Sequence, residues 1–138
     1  MSKYNSTDEK TVLELEDDAA AVNMGGSWRI PTTEEWQVLS EAVYTEWTNN
    51  YNDTGVSGLI CTDKTDNSKV LFFPACGNCR NGSVYDVGSY GYYWSSSLDS
   101  SDVQGAYYLD FYDGYVTWQS DSLRYYGFPV RGVLGTVQ

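Results

Sequence analysis

The stretch from Tyr107 to Val133, YYLDFYDGYVTWQSDSLRYYGFPVRGV, decides how we interpret the rest of this 138-residue chain. Its Asp113-Gly114 pair is a strong signal for a two-residue hairpin turn of type I′, in which both central residues take positive φ. Such a turn predicts the register of the flanking strands. The facing pairs are Tyr112 and Tyr115, Phe111 and Val116, Asp110 and Thr117, and Leu109 and Trp118.

This register divides the hairpin into two chemically different faces, because successive side chains of a strand point to opposite sides. One face is wholly apolar and consists of Leu109, Phe111, Val116 and Trp118. The other face consists of Tyr108, Asp110, Tyr112, Tyr115, Thr117 and Gln119. The first face predicts contact with a core, and the second has the composition of a binding surface.

Tyrosine is concentrated in and after the hairpin, at positions 107, 108, 112, 115, 125 and 126. Exposed aromatic clusters mark interaction sites, and Tyr combined with Ser, Asp and Gly is typical of antibody paratopes. Polar loops predicted at 99–104 and 119–126 extend this surface; the alternative is an ordinary solvated strand face. The predicted ligand-binding residues are Tyr108, Asp110, Tyr112, Tyr115, Thr117, Gln119, Asp121, Leu123, Tyr125, Tyr126, Ser101 and Asp102.

The composition narrows the classes of function. A net charge of −11 and a pI near 4.1 disfavour nucleic acid and anionic membranes as partners. No apolar run approaches the ~20 residues of a membrane-spanning helix. The chain contains no histidine, which excludes Ser-His and Cys-His nucleophile pairs and most zinc sites.

Two helices are predicted in the first third of the chain. Residues 1–10 are expected to be loosely ordered, and a helix is expected from Thr11 to Met24, with Leu15, Ala19 and Val22 on one face. Its acidic pair, Asp17 and Asp18, is expected to be solvated, and Gly25-Gly26 to end the helix. The capping box Thr32-x-x-Glu35 begins a second helix, whose stripe of Trp36, Leu39 and Val43 continues to about Tyr44.

The middle and end of the chain are predicted to contain short strands at 58–62, 69–73, 92–95 and 127–134. Residues 47–57 and 75–83 are expected to be irregular. Trp28, Arg29 and Trp94 are predicted to belong to the core, and Arg131 to be a buried ion-pair partner. Residues 11–138 are thus expected to form a single domain.

Two groups of residues have metal-binding or redox alternatives. Cys76-x-x-Cys79 lacks the further ligands of a zinc site, since only Cys61 remains, so we predict a structural disulfide or free thiols. Oxygen ligands for calcium could come from Asp99 and Asp102, or from Asp63, Asp66 and Asn67, but neither group matches an EF-hand loop. We predict no metal site and no cofactor.

Four segments carry a resemblance to a known family: GGSWRIPTTEEW at 25–36, LFFPA at 71–75 followed by Gly77, GSYGYYWSSS at 88–97, and GFPVR at 127–131. Together they resemble C-type-lectin-like domains of the formylglycine-generating-enzyme type, in particular the Fibrobacter succinogenes major paralogous domain. The resemblance implies an α+β C-type-lectin-like fold, in which two helices pack on a small, mostly antiparallel twisted sheet.

Some members of that family resemble the variable proteins of diversity-generating retroelements. The resemblance implies a display domain whose variable part covers about 99–126 and recognises a protein or glycan on a cell surface. It further implies a location on a bacterial surface or phage particle, where we expect a monomer. The catalytic cysteines of formylglycine-generating enzymes have no matched counterpart, so we expect no catalysis, and the charge and apolar runs described above predict no nucleic-acid partner and no membrane insertion. The Glu-Pro-Asn and Trp-Asn-Asp motifs of calcium-dependent sugar binding are absent from the sequence.

Two other functions remain open. One is a non-variable structural or adhesive module of a bacterial surface or phage-tail protein, with the tyrosine face buried against a neighbouring domain. The other is a carboxylate-based hydrolase, which predicts a concave pocket containing an acid of raised pKa near Asp110 or Asp121.

Overall fold

Antiparallel strands form most of this structure, a computed structural model that describes residues 3–135. Strands hold 41% of the residues and helices 14%. The helices are α1 (Ala19–Met24) and α2 (Thr33–Ala42), and a 3-10 turn covers Tyr51–Asp53. The strands are β1 (Trp28–Arg29), β2 (Val43–Thr48), β3 (Gly58–Asp63), β4 (Val70–Pro74), β5 (Asn78–Arg80), β6 (Ser83–Tyr85), β7 (Gly91–Leu98), β8 (Gly105–Tyr112), β9 (Tyr115–Leu123) and β10 (Val133–Leu134).

Within residues 3–135 the strands form four separate antiparallel sheets, with orders β1–β10, β2–β3–β4, β5–β6 and β7–β8–β9. The expected α+β C-type-lectin-like fold, with two helices packed on one small sheet, is therefore wrong. The chain is mainly β, and its strands are divided among several sheets. No helix of the described part is long and apolar enough to cross a membrane.

Two segments that we predicted to be helical or irregular form strands instead, and they account for part of the difference between the predicted and the observed fold. β2 has the sequence VYTEWT, which is rich in β-branched and aromatic residues, and it pairs along its whole length with β3. β5 and β6 form a hairpin around Asn81 and Gly82, whose φ values of 51° and 76° suit a type I′ turn.

α2 confirms the second predicted helix. The Thr32 side chain accepts a hydrogen bond from the Glu35 amide, and the Glu35 side chain accepts one from the Thr32 amide. Trp36 and Val43 are buried and Leu39 packs against the same core. The helix ends at Ala42, slightly earlier than predicted, because Val43 already belongs to β2.

α1 is much shorter than the predicted helix at Thr11–Met24, and the predicted apolar face is wrong, since Leu15 and Val22 are exposed. Asp18 is also not on a solvated surface, because only 2% of it is exposed. Its Oδ1 caps α1 by accepting from the amides of Ala20 and Ala21, while Oδ2 accepts from the Ile30 amide. The residues before α1 also take part in packing, since Tyr4 is buried in a second cluster with Leu98 and Ala106.

The main core lies between α2, sheet β2–β3–β4 and sheet β7–β8–β9. Trp36 of α2 meets Phe73 edge to face at 5.8 Å between ring centroids. Leu109 and Phe111 of β8 are completely buried. Val116 and Trp118 are half-buried against them, which confirms the predicted apolar face of the hairpin.

The hairpin register is confirmed near the turn, where Tyr112 pairs with Tyr115 and Asp110 with Thr117. The turn is not of type I′, because only Gly114 of its two central residues has a positive φ, at 80°. The predicted pair of Leu109 and Trp118 is also wrong. A β-bulge interrupts the ladder there, and Tyr108 pairs with Ser120.

Cys61, Cys76 and Cys79 are free thiols. Cys61 lies in the core, and burial raises the pKa of its thiol to about 12. Arg131 differs from our prediction, since it donates to the Phe72 carbonyl at 2.8 Å and lies over the Phe73 ring. Its environment is a carbonyl and an aromatic face in place of the predicted carboxylate.

Candidate ligand-binding surface

The polar and aromatic face of the hairpin is the outer face of sheet β7–β8–β9, on the side away from the core. β8 is the central strand of this sheet. β7 places Tyr92 beside Asp110 and Trp94 beside Tyr108, while β9 places Thr117 on the other side of Asp110. All three strands therefore contribute to one face.

Aromatic rings form a continuous layer on this face. Tyr112 and Tyr115 stack across the hairpin with centroids 4.7 Å apart, and Tyr90 meets Tyr112 at 5.0 Å. Further contacts connect these rings to the middle of the sheet and to the segment after β9. The layer, which we call the aromatic surface, consists of Tyr90, Tyr92, Trp94, Tyr108, Tyr112, Tyr115, Tyr125, Tyr126 and Phe128.

Phe128 covers the middle of the aromatic surface. Its ring centroid lies 4.3 Å from that of Trp94 and 4.9 Å from that of Tyr108. The Trp94 amide donates to the Pro129 carbonyl at 3.2 Å, which holds this segment against β7. The predicted closing strand at 127–134 is therefore a strand only at Val133–Leu134, and its first part is hydrogen-bonded to β7 and to Cys79 of β5.

An open groove of about 200 Å³ lies between Phe128 and the β5–β6 hairpin. Its aromatic side consists of Tyr92, Tyr108, Tyr126 and Phe128. Its polar side consists of Asn78, Arg80, Asp86 and Ser122. A small concave site with aromatic walls and a few converging polar groups is the usual form of a site for a small ligand.

The solvent-exposed part of the aromatic surface lies at its two ends. Tyr112 and Tyr115 at the hairpin turn are 37% and 41% exposed, and Tyr125 beside the groove is 70% exposed. Tyr108 between them is half-buried under Phe128. The ends are thus available for contact with a partner, while the middle supports them.

Residues 47–133 match the model of a protein family described as a domain of unknown function, DUF8237. The chain belongs to the DUF8237 family. The match covers more than half of the chain and includes the aromatic surface and every residue of the groove. No curated protein and no solved structure matches the chain.

The structure of this DUF8237 domain brings together only some of the predicted binding residues. Tyr108, Asp110, Tyr112, Tyr115 and Thr117 share the outer face, and Tyr126 lines the groove beside Tyr125. The predicted loop at 119–126 is largely wrong, because β9 continues to Leu123. The bulge reverses the alternation beyond it, so that the opposite face carries Tyr107, Asp121 and Leu123.

The remaining predicted residues lie apart from the outer face. Gln119 is exposed at the bulge. Ser101 and Asp102 are exposed in the loop before β8, at the end of that strand opposite the hairpin turn. We therefore restrict the candidate site to the aromatic surface, the polar residues between its rings, and the groove.

Sequence reasoning missed the contribution of β7 and of the chain beyond Tyr126. The alternation of Tyr90, Tyr92 and Trp94 is a period-2 signal that predicts a shared face. We assigned Trp94 to the core, and it is half-buried: it packs against the second cluster of Tyr4, Leu98 and Ala106 and also contacts Phe128. Asn78 and Arg80 lie in the β5 strand that the Asn81-Gly82 turn signal could have revealed.

Asp110 occupies an unfavourable environment at the centre of the outer face. Its Oδ1 is buried and accepts no hydrogen bond from any residue in the range 3–135. Burial raises the pKa of the Asp110 carboxyl above its usual value. Burial and, secondly, the Asp110 charge raise the pKa of the neighbouring Tyr108. Carboxyl groups whose pKa is raised by burial are more common at functional sites than elsewhere on a protein surface.

We expect the substitution Asp110→Asn to raise the melting temperature at neutral pH, because it removes a poorly solvated charge while keeping the size of the side chain. The pKa of Asp110 is higher in the folded protein than in the unfolded chain, so the ionised carboxylate destabilises the fold at pH values above the folded pKa. This destabilisation disappears below about pH 3.9, the pKa of Asp in the unfolded chain, because the carboxyl is then protonated in both states. Thermal unfolding of both proteins across this pH range should show a difference that shrinks with acidification. Asp121→Asn, an exposed acid on β9, is the control, and a lower melting temperature for Asp110→Asn at neutral pH would contradict the prediction.

The acidic residues considered for calcium cap turns. Asp99 Oδ1 accepts from the amide and hydroxyl of Ser101, and these bonds lower the pKa of Asp99. Asp63 makes the same contacts with Thr65. Within residues 3–135, the one cluster of carboxylates close enough to share an ion consists of Glu14, Glu16 and Asp17, and Lys3 forms ion pairs with all three.

Proposed function

We propose that this domain is a ligand-binding display module that recognises a protein or glycan on a cell surface through its aromatic surface. The observation that supports this most strongly is the continuity of the layer, which leaves Tyr112 and Tyr115 exposed on the β8–β9 hairpin and Tyr125 exposed after β9. Exposed contiguous aromatic surface is unusual on a soluble domain unless a partner covers it. Tyrosine also offers a large contact area at a small cost in side-chain entropy.

We extend this proposal to the origin of the surface. The outward residues Tyr108, Asp110, Tyr112, Tyr115 and Thr117 are of the types produced when a diversity-generating retroelement rewrites asparagine codons. They lie on the outer face, whereas Leu109 and Phe111 maintain the core from the same strand. Exchange of the outward set therefore leaves the core positions of Leu109 and Phe111 unchanged. A near-copy of this coding segment beside a reverse-transcriptase gene would support the proposal.

The double substitution Tyr112→Ala/Tyr115→Ala is expected to weaken binding to cells by about 30-fold, the typical effect of removing a hot-spot aromatic residue. The labelled domain is incubated with a panel of intact bacterial strains, and binding is measured by flow cytometry. Folding should persist, because both side chains are exposed and neither belongs to the core.

Tyr44→Ala is the matched control for this experiment. Tyr44 is a 66% exposed tyrosine on β2, outside the aromatic surface. Equal binding by the wild type, the control and the double variant would argue against the proposed function. A wild-type domain that is insoluble or self-associated through this face would instead favour the structural module.

A hydrolase remains the second candidate because of a single observation, the raised pKa of Asp110. A general acid needs such a pKa and also needs access to a substrate. The residues that line the groove include Asp86 but not Asp110. Hydrolysis of nitrophenyl glycosides by the wild type, with loss of activity in Asp110→Asn, would favour the enzyme over the display module.

A further inference from the structure

The groove beside Phe128 has two walls of contrasting chemistry. On the aromatic wall, Phe128 lies 4.9 Å from Tyr108 and 5.0 Å from Tyr92 between ring centroids, and Tyr126 is parallel to Phe128 within 6°. These rings line one side of an open space of about 200 Å³. Aromatic faces carry a partial negative charge and attract weakly positive C–H groups.

The polar wall is organised around Asp86. One carboxylate oxygen, Oδ2, accepts from Asn78 Nδ2 at 3.1 Å and from the Tyr92 hydroxyl at 3.3 Å. A carboxylate has about four lone-pair positions, so the acid keeps acceptor capacity for a ligand. Asp86 also has a φ of 63°, a left-handed conformation that is uncommon outside glycine and recurs at ligand-binding sites.

The backbone holds the two walls together. Cys79 and Gly127 exchange hydrogen bonds of 2.7 and 2.8 Å between their amides and carbonyls, which ties β5 to the segment that carries Phe128. Gly77 keeps the loop before β5 close to β6, since a Cβ at this position would lie 1.9 Å from the Tyr85 carbonyl oxygen. These backbone contacts fix the position of the two walls relative to each other.

We infer that this groove binds a single pyranose ring of a glycan, an inference that rests on the proposed function and names its ligand class. One face of a pyranose presents C–H bonds to the aromatic wall, while its hydroxyl groups act as donors and acceptors at the polar wall. Asp86 accepts, Arg80 donates and Asn78 can do both. The aromatic wall therefore suits the apolar face of the sugar ring, and the carboxylate, amide and guanidinium groups suit the hydroxyl groups at its edge.

The charges in the groove disfavour both anionic and cationic ligands. Asp86 and the net charge of −11 oppose a phosphorylated or carboxylated ligand. Arg80 opposes a cationic ligand, and it is held in place with its guanidinium 4.4 Å from the Tyr85 ring centroid. A purely apolar ligand would leave Asn78 and Asp86 desolvated without new partners. A neutral polyhydroxylated ring satisfies both walls.

Saturation-transfer NMR with a panel of neutral methyl pyranosides tests the inference directly. At least one member should bind with a dissociation constant on the order of 1 mM, as expected for one small ring in an open site. In ¹⁵N correlation spectra of the wild type, the amides that shift should be those of 78–80, 86 and 126–128. Binding by none of the pyranosides, or shifts that lie elsewhere, would overturn the inference.

Two substitutions locate the site. Asp86→Asn keeps a residue that tolerates positive φ but removes the charge, and Tyr126→Ala removes part of the aromatic wall. Each should weaken the pyranoside by about tenfold, the effect of losing one charge-assisted hydrogen bond or one stacking partner. Tyr44→Ala should leave the affinity unchanged. Equal affinity in all variants would overturn the assignment even if a sugar binds.

The experiment separates failure of this inference from failure of the proposed function. If no pyranoside binds but Tyr112→Ala/Tyr115→Ala abolishes the binding of cells, the display function stands and the ligand class is wrong. If pyranosides bind in the groove but the double variant still binds cells, the groove is the principal site and the tyrosines at the turn are not. If an Asp86 or Tyr126 variant fails to fold, the shift map of the wild type decides the question.

Discussion

Replacing Gly91 by alanine is expected to lower the free energy of unfolding by about 3 kcal/mol, at the upper end of the range for overpacked cores. A Cβ at this position in β7 would lie 1.9 Å from Phe111 Cζ and 2.4 Å from two further atoms of the same ring. Phe111 cannot easily withdraw, because it is completely buried between Tyr93 and Trp47. For a chain of this size the melting temperature should fall by about 10 °C, measured by calorimetry.

A double-mutant cycle with Phe111→Leu identifies the cause of this loss. Leucine removes the ring atoms that a new methyl group would meet, so the two substitutions together should destabilise less than the sum of their separate effects. Strict additivity, or a melting temperature for Gly91→Ala close to that of the wild type, would contradict the close approach of Gly91 and Phe111. The same contact holds the start of β7 against the core, and the next residue of that strand, Tyr92, belongs to the aromatic surface.

The features that could be predicted from the sequence are those encoded by a few neighbouring residues. The Thr32–Glu35 capping box and the two-residue turn at Asp113-Gly114 depend on local hydrogen bonding and backbone preference, and both are present. The inward position of Leu109 and Phe111 follows from the register that the turn imposes. Local signals can also be overlooked: Asn81-Gly82 marks a hairpin in a segment that we interpreted through its cysteines.

Features that depend on distant partners were not predictable from the same patterns. The bulge opposite Leu109 shifts the alternation of β9, so that Asp121 and Leu123 take the face opposite to the one their spacing indicates. Ser120 and Ser122, which have weak strand preference, remain in β9 because β8 pairs with them. Phe128 reaches the outer face from beyond the hairpin, and nothing in its own segment predicts that contact.

The bounds of the first helix were wrong for a related reason. The predicted helix at Thr11–Met24 followed from an apparent helical period before Gly25, but only Ala19–Met24 of this region is helical. The helix cannot begin before Asp18, because the Asp18 carboxylate accepts hydrogen bonds from the first amides of α1 and from the Ile30 amide. One buried acid thus organises the chain on both sides of Gly25, a role that the composition of an acidic segment conceals.

The substitution Glu35→Gln is expected to lower the free energy of unfolding by about 2 kcal/mol at neutral pH. Arg29 is 4% exposed, and its two terminal nitrogens donate to the two Glu35 oxygens at 2.7 and 2.6 Å. Removal of one partner from a fully buried pair costs about 3–5 kcal/mol. The Glu35 side chain is 40% exposed, so solvent screening reduces that figure.

The pH dependence of unfolding separates this ion pair from the helix cap. The Arg29 guanidinium and then the Thr32 amide hold the pKa of Glu35 below its usual value, so its contribution to stability is complete above about pH 4.3 and is lost as the pH falls through the folded pKa. The difference in the free energy of unfolding between wild type and Glu35→Gln should therefore shrink in acid.

Glu34→Gln, an exposed neighbour in the same turn, is the control, and its stability should change little at any pH. In Glu35→Gln the Arg29 guanidinium keeps its hydrogen bonds to the carbonyls of Gly135 and Ile30, and the loss of stability comes from the missing carboxylate charge. Equal melting temperatures for Glu34→Gln and Glu35→Gln would contradict a structural role for the pair.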